Sequence, residues 1–227
     1  MVDIVAFGAH PDDIEFGCGG ILAKAAAQGH SIVMVDLTGG EKSTSGTPEV
    51  RRQEALTAAK LIGAERLFLD FIDCEIYDTY EGRLKLMQVI RRYQPRLVLA
   101  SMWEGGQTHP DHMACGTMAR HACRYARFAN IMPELPLHRV EGILHYLPKT
   151  GVQPDFLVDV SAQVDVWKQM MEAHKSQMQT FPYSEWMLKL AASNGVLIGK
   201  PYALGLVAGN PVVVDDIMTV SRGSREV

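Results

Sequence analysis

Two short runs in this sequence concentrate groups that could do chemistry, His10-Pro11-Asp12-Asp13 and His109-Pro110-Asp111-His112. Each sets imidazole beside carboxylate in the stretch that follows an apolar run, Ile4-Val5-Ala6-Phe7 in one case and Leu97-Val98-Leu99-Ala100 in the other. Charge at the end of a buried strand is costly unless it is paired, and a divalent metal is a partner that suits these donors. Catalytic zinc commonly takes three His or carboxylate ligands and keeps a position for water. His10, Asp13 and His112 make such a set. Zinc there would bring the pKa of its water to about 7 and polarise a carbonyl, which suits amide hydrolysis. Asp12 is then the expected general base. His109, as an imidazolium, would steady the oxyanion and protonate the departing amine. Asp111 would hold His109 and raise its pKa. Two histidines and a carboxylate also form the triad of non-haem Fe(II) oxygenases, and such sites accept Fe2+ as well as zinc, but an oxygenase needs no neighbouring base-and-acid pair.

The elements that must position these runs alternate in period. Short β-branched stretches at 2–8, 31–37, 66–69 and 97–101 are separated by helical spacing at 15–28, 47–62, 84–93 and 112–128. That alternation predicts an α/β fold, a Rossmann-like sandwich with a mostly parallel central sheet flanked by helices. Thr47 is the expected N-cap of the second helix, with Pro48 at its first position, and Asp111 that of the fourth. In such a sheet ligands bind beyond the carboxyl ends of the strands, where strand order reverses. The loops after the first and fourth strands should therefore converge on one metal. Farther on, 140–147, 156–160 and 202–207 read as strands. One helix is expected to carry Val164, Trp167, Met171, His174 and Met178 as a core stripe, and another to span 184–197. No repeat or linker interrupts residues 1–227, so one domain is expected, with a loose polar tail after Asp216. The glycine-rich loop 38–46 is long enough to suggest function.

Composition narrows the partners. A net charge of −4 argues against nucleic acid or an anionic membrane surface as the main partner. No stretch approaches the roughly 20 apolar residues of a membrane span, and the N-terminus lacks a signal-peptide pattern, so a cytoplasmic protein is expected. Cys18, Cys74, Cys115 and Cys123 form no CxxC pair and read as reduced thiols. Gly17-Cys18-Gly19-Gly20 follows the first strand as a dinucleotide fingerprint would. However, Asp12, Asp13 and Glu15 would repel a pyrophosphate, and no G-x-G-x-x-G is present.

With these residues assembled, the chain resembles the PIG-L/LmbE-like family of zinc-dependent N-acetylglucosaminyl deacetylases. Ala9-His10-Pro11-Asp12-Asp13-Ile14-Glu15 matches its AHPDDxE motif and His109-Pro110-Asp111-His112 its HPDH motif. The resemblance implies the α/β fold, zinc on His10, Asp13 and His112, Asp12 as base and His109 as second catalytic group. Asp36-Leu37-Thr38, Gly40-Glu41, Gly46-Thr47, Val50-Arg51, Ser176-Gln177 and Tyr202-Ala203-x-Gly205 resemble the bacillithiol branch, which deacetylates N-acetylglucosaminyl malate. That likeness implies a small-molecule sugar conjugate as partner, a homo-oligomer, and Arg51, Glu41 and Tyr202 as substrate contacts. A guanidinium at Arg51 would hold the malate carboxylate bidentately. Residues 105–108 depart from the acidic residue and arginine often found there in that branch, which leaves mycothiol-type and chitobiose-type sugars as alternatives.

Overall fold

The computed structural model describes residues 1–104, 109–146 and 152–220. Residues 105–108, 147–151 (the end of the strand expected at 140–147 among them) and the tail from 221 lie outside the described residues. At the centre is β1 (Ile4–Gly8), buried at every position. Alternate side chains of a strand face opposite ways. Val5 and Phe7 accordingly enter one apolar cluster and Ile4 and Ala6 the other. β1 is flanked by β2 (Ile32–Asp36) and β4 (Leu97–Ser101), both parallel to it, with β3 (Glu65–Phe68) beyond β2. On the far side come β5 (Gly142–Tyr146), β7 (Ala203–Ala208) and β6 (Phe156–Asp159), giving the order β3-β2-β1-β4-β5-β7-β6. The sheet is parallel through β5, while β7 runs antiparallel to both its neighbours. The expected α/β sandwich is thus observed, and strand order reverses between β1 and β4. Their register sets Phe7 opposite Ala100, so the two motif loops leave the same edge side by side.

Helices cover both faces. α3 (Tyr80–Tyr93) and α4 (Pro110–Tyr125) pack Leu86, Met87, Ile90, Cys115 and Met118 against the Val5 face. α1 (Asp13–Ala27) and α2 (Pro48–Lys60) pack Ile14, Cys18, Leu22, Ala58 and Ala59 against the other. Thr47 caps α2 as expected, accepting the Val50 amide at 3.3 Å, and Pro48 opens it. The stripe expected on one long helix is split by a break at His174 into α5 (Val164–Glu172) and α6 (Lys175–Met178). With α7 (Tyr183–Leu197), Trp167, Met171 and Met187 build a third cluster against Phe16. Gly19 and Gly20 of α1 lie under Trp167, where an added Cβ would fall 2.9 and 3.2 Å from the indole. The glycines after the first strand therefore serve helix packing. No described helix is long and apolar enough to cross a membrane.

α3 starts a turn earlier than expected, at Tyr80, capped by Thr79, which accepts the Gly82 amide at 3.0 Å, and two further helix starts differ in ways that bear on the motifs. α1 begins at Asp13, and α4 at Pro110. The N-cap of α4 is His109 rather than Asp111: its Nδ1 accepts the Asp111 amide at 3.2 Å. Ser101 donates from Oγ to the His112 carbonyl at 2.6 Å, and a Cβ on Gly116 would stand 2.3 Å from the Ser101 carbonyl oxygen. The first turn of α4 is thereby pressed onto the end of β4.

His145, fully buried on β5, has its Nδ1 2.7 Å from the same Ser101 carbonyl oxygen, so the ring donates there. Burial pushes its pKa down to about 4, outweighing that hydrogen bond, so it is neutral in the fold. An unfolded histidine binds its proton near pH 6.5, earlier than this one does as pH falls. Its contribution is therefore complete above that value and lost as pH drops toward 4. His145→Gln is expected to flatten this part of the stability–pH curve, read from urea midpoints between pH 7 and pH 4.5.

Candidate metal centre

Each motif residue sits where a strand hands over to a helix. His10, Asp12 and Asp13 follow β1, and Asp13 is already the first residue of α1. His109 and His112 bracket the start of α4. The Asp13 carboxylate lies between two imidazoles. Its Oδ2 is 3.4 Å from His10 Nδ1 and its Oδ1 is 2.9 Å from His112 Nε2. Oδ2 also accepts the His10 amide at 2.9 Å. One ligand atom from each of His10, Asp13 and His112 falls within 4.8 Å of the others, so these three could hold a metal. Two overlapping sets, His10–His109–Asp111 and Asp73–Cys74–Asp111, meet the same distance. In those, however, Asp111 Oδ2 already accepts the Cys74 amide at 2.8 Å and His109 Nδ1 the Asp111 amide.

The other face of His10 meets a residue that no motif marks. Nε2 is 3.1 Å from Oδ1 of Asp73 and 3.3 Å from Oδ2 of Asp111. A ligating histidine commonly gives its second N–H to a carboxylate, which fixes its tautomer and orientation. Burial opposes charge on His10, but Asp111, Asp13 and Asp73 outweigh it and push its pKa up to about 12. Asp73 follows β3, the neighbour of β2 at the same sheet edge, and that position was the only sequence signal for it.

Asp111 and His109 make different contacts from those expected. The Asp111 carboxylate turns to His10 and the Cys74 amide, and only its backbone N–H reaches His109. Burial, together with His10 and His112, lowers the His109 pKa against the weaker pull of Asp111. Because Nδ1 accepts a hydrogen bond, the proton of the neutral ring sits on Nε2. His109 is thus a neutral donor, with its ring 4.9 Å from that of His10 and 5.1 Å from that of His112.

Asp12 and Asp13, adjacent in sequence, are set apart electrostatically. Despite burial, His112 and His10 hold Asp13 well below the usual carboxylate range. Burial and the neighbouring Asp13 charge push Asp12 up to about 6, against the opposing Arg51. Such divergence of paired carboxyls is a mark of acid–base sites. Asp12 also adopts φ 125°, a region that non-glycine residues rarely enter.

The three residues expected to contact substrate each have partners within the protein. Arg51, 3% exposed, spends Nη1 on the Gly40 carbonyl (3.2 Å) and Nη2 on the Pro11 carbonyl (2.7 Å) and Asp12 Oδ2 (3.2 Å). Both ends of its fork are committed within the protein. Glu41 accepts the Gly39 amide at one oxygen and the Asp73 amide at the other, tying loop to loop. Tyr202 packs against the third apolar cluster, and its carbonyl accepts from Val160 and Ser161.

Fold and site define an α/β protein with a His–Asp–His cluster at the carboxyl edge of a parallel sheet. The chain belongs to the PIG-L family, GlcNAc-PI de-N-acetylase, whose family model matches residues 5–123. Over 89% of its length and 81% of the relative's, it is 29% identical to a diacetylchitobiose deacetylase of Thermococcus kodakarensis. It is also 25% identical to a 4-oxalmesaconate hydratase of Pseudomonas putida, over 83% of this chain and 78% of that one. Among solved structures, a conserved protein from Thermus thermophilus superposes with a TM-score of 0.88 at 37% identity. That match covers 94% of this chain and 97% of the other.

Proposed function

We propose that this protein is a metal-dependent deacetylase that hydrolyses the N-acetyl amide of a glucosaminide. The observation that carries the reading is one carboxylate, Asp13, facing two imidazoles with Asp12 and His109 alongside. Two imidazole nitrogens and a carboxylate oxygen suit zinc or ferrous iron, and His10, Asp13 and His112 are the proposed ligands. A metal held there supplies Lewis acidity, which polarises the amide carbonyl and acidifies water.

Asp12 takes the proton of the attacking water and later returns it to the nitrogen as the C–N bond breaks, leaving acetate and a free amine. His109 donates from Nε2 to the developing oxyanion. Asp73 and Asp111 keep His10 turned with Nδ1 toward the cluster. The relative from Thermococcus kodakarensis carries a deacetylase name, which supports the reaction class. Within that class the likeness to the bacillithiol branch favours N-acetylglucosaminyl malate as substrate.

Acetate release from a panel of N-acetylglucosaminyl malate, diacetylchitobiose and a mycothiol-type glycoside tests both levels. Turnover is expected on at least one sugar, lost on chelation and restored by added zinc or Fe2+. Equal, feeble turnover on the malate would remove it as the preferred substrate. Since one relative is named as a hydratase, absence of acetate from every sugar would end the deacetylase reading.

A further inference from the structure

We infer that Arg51 is a positioning residue for Asp12, and that the glycine-rich loop before α2 exists to seat it. This rests on the deacetylase reading only in making Asp12 the base. A single nitrogen, Nη2, holds both the Pro11 carbonyl at 2.7 Å and Asp12 Oδ2 at 3.2 Å. It therefore grips the peptide before the strained residue and the side chain of that residue together. Backbone at φ 125° persists in a non-glycine residue only where surrounding contacts over-determine it. Arg51 is a side-chain contact that does so here, beside the Phe16 amide that donates to the Asp12 carbonyl at 3.0 Å.

The seat is built closely around the guanidinium. Gly40, at φ +67°, accepts Nη1 on its carbonyl, and a Cβ added there would lie 1.8 Å from the same nitrogen. A Cβ on Gly46, at φ +81°, would fall 3.1 Å from Arg51 Cγ and 2.7 Å from Ser176 Oγ. From behind, Ser176 binds Glu54 of α2 through its amide and hydroxyl, at 2.8 and 2.7 Å. Gln177 donates to the Ser45 carbonyl at 2.8 Å. Loop, α2 and α6 thus converge on one buried cation whose charged end faces Asp12. Both Nη atoms are held by these partners, while the buried Nε has no hydrogen-bond partner.

The test compares wild type, Arg51→Ala, Arg51→Lys and Gly40→Ala in their metal-loaded forms. Gly40→Ala keeps the arginine and its charge but denies Nη1 its place. The expected result is a fall of tenfold or more in kcat for Arg51→Ala and Gly40→Ala, with KM within twofold and metal content unchanged. Millimolar guanidinium should partly restore kcat in Arg51→Ala alone, and Arg51→Lys should lie between wild type and Arg51→Ala. A rise in KM at unchanged kcat would make Arg51 a substrate contact and overturn the inference. Wild-type kinetics in both variants would overturn it equally. Amide exchange in residues 9–16 gives a readout independent of catalysis: Arg51→Ala should accelerate it tenfold while β2 and β4 stay protected. If no sugar is turned over, this measurement alone decides. Unchanged exchange rejects the positioning role, and acceleration upholds it without the deacetylase reading.

Discussion

Replacing Asp12 and replacing Asp13 are expected to disable the protein in different ways. Asp12→Gly should retain its metal and lose at least about 100-fold in acetate release, the usual scale for removing a general base. Glycine is the informative substitution because φ 125° is strained for any residue with a Cβ. The variant loses the Arg51 contact but also this strain, so it should still fold while its chemistry fails. Asp12→Asn, which keeps the shape and the contact to Arg51, should be as inactive. Asp13→Ala removes the carboxylate that faces both His10 and His112 and should lose the metal. Elemental analysis after gel filtration, beside single-turnover acetate release, separates the two. Full activity in Asp12→Gly would remove Asp12 from the mechanism.

The second large effect is on stability. Arg66 is buried and pairs with two carboxylates, Asp36 through a fork at 2.7 Å on each arm and Glu15 through Nη1. His174 Nε2 adds a fourth group, 3.3 Å from Glu15 Oε2. Burial would raise Glu15, but Arg66 and His174 outweigh it and bring the carboxyl down to about 2. For Asp36, burial wins over Arg66 and the pKa rises. Removing one partner of a buried ionic set leaves the others uncompensated, at a cost of about 3–5 kcal/mol. Arg66→Ala is thus expected to lower the urea midpoint steeply, with the slope m unchanged. The triple variant Arg66→Met, Glu15→Leu, Asp36→Leu should recover part of that loss, since apolar replacement of a buried ionic set is often neutral and only His174 then loses its Glu15 partner. A small effect of Arg66→Ala would show that water reaches the set.

Much of the site was legible because a motif names residue types at a known end of a strand. Short β-branched runs between stretches of helical spacing gave away the strands, β1 and β4 among them. Strand order was then enough to bring His10, Asp12, Asp13, His109 and His112 together. What a sequence does not show is where a side chain turns once several partners compete for it. Asp111 had His109 as its sequence neighbour, yet its carboxylate met His10 and the Cys74 amide, which come from other elements. Arg51 had a substrate role by resemblance, and no sequence pattern showed that its two Nη atoms would meet the carbonyls of Gly40 and Pro11 and the carboxylate of Asp12. Asp73 belonged to no motif and was missed. The antiparallel course of β7 leaves no trace in hydrophobic periodicity, because buried strands read alike in either direction.

The contact of Gly19 and Gly20 with Trp167 links two stretches of very different character. The glycines lie within the span that the family model matches, while the indole lies beyond its end at residue 123. Trp167 also donates from Nε1 to the Glu15 carbonyl at 2.8 Å, within the first motif itself. The span that the family model matches is therefore not a module that can be exchanged alone. A chimera joining the motif-bearing part of one relative to the remainder of another would have to transfer this tryptophan and its two glycines together.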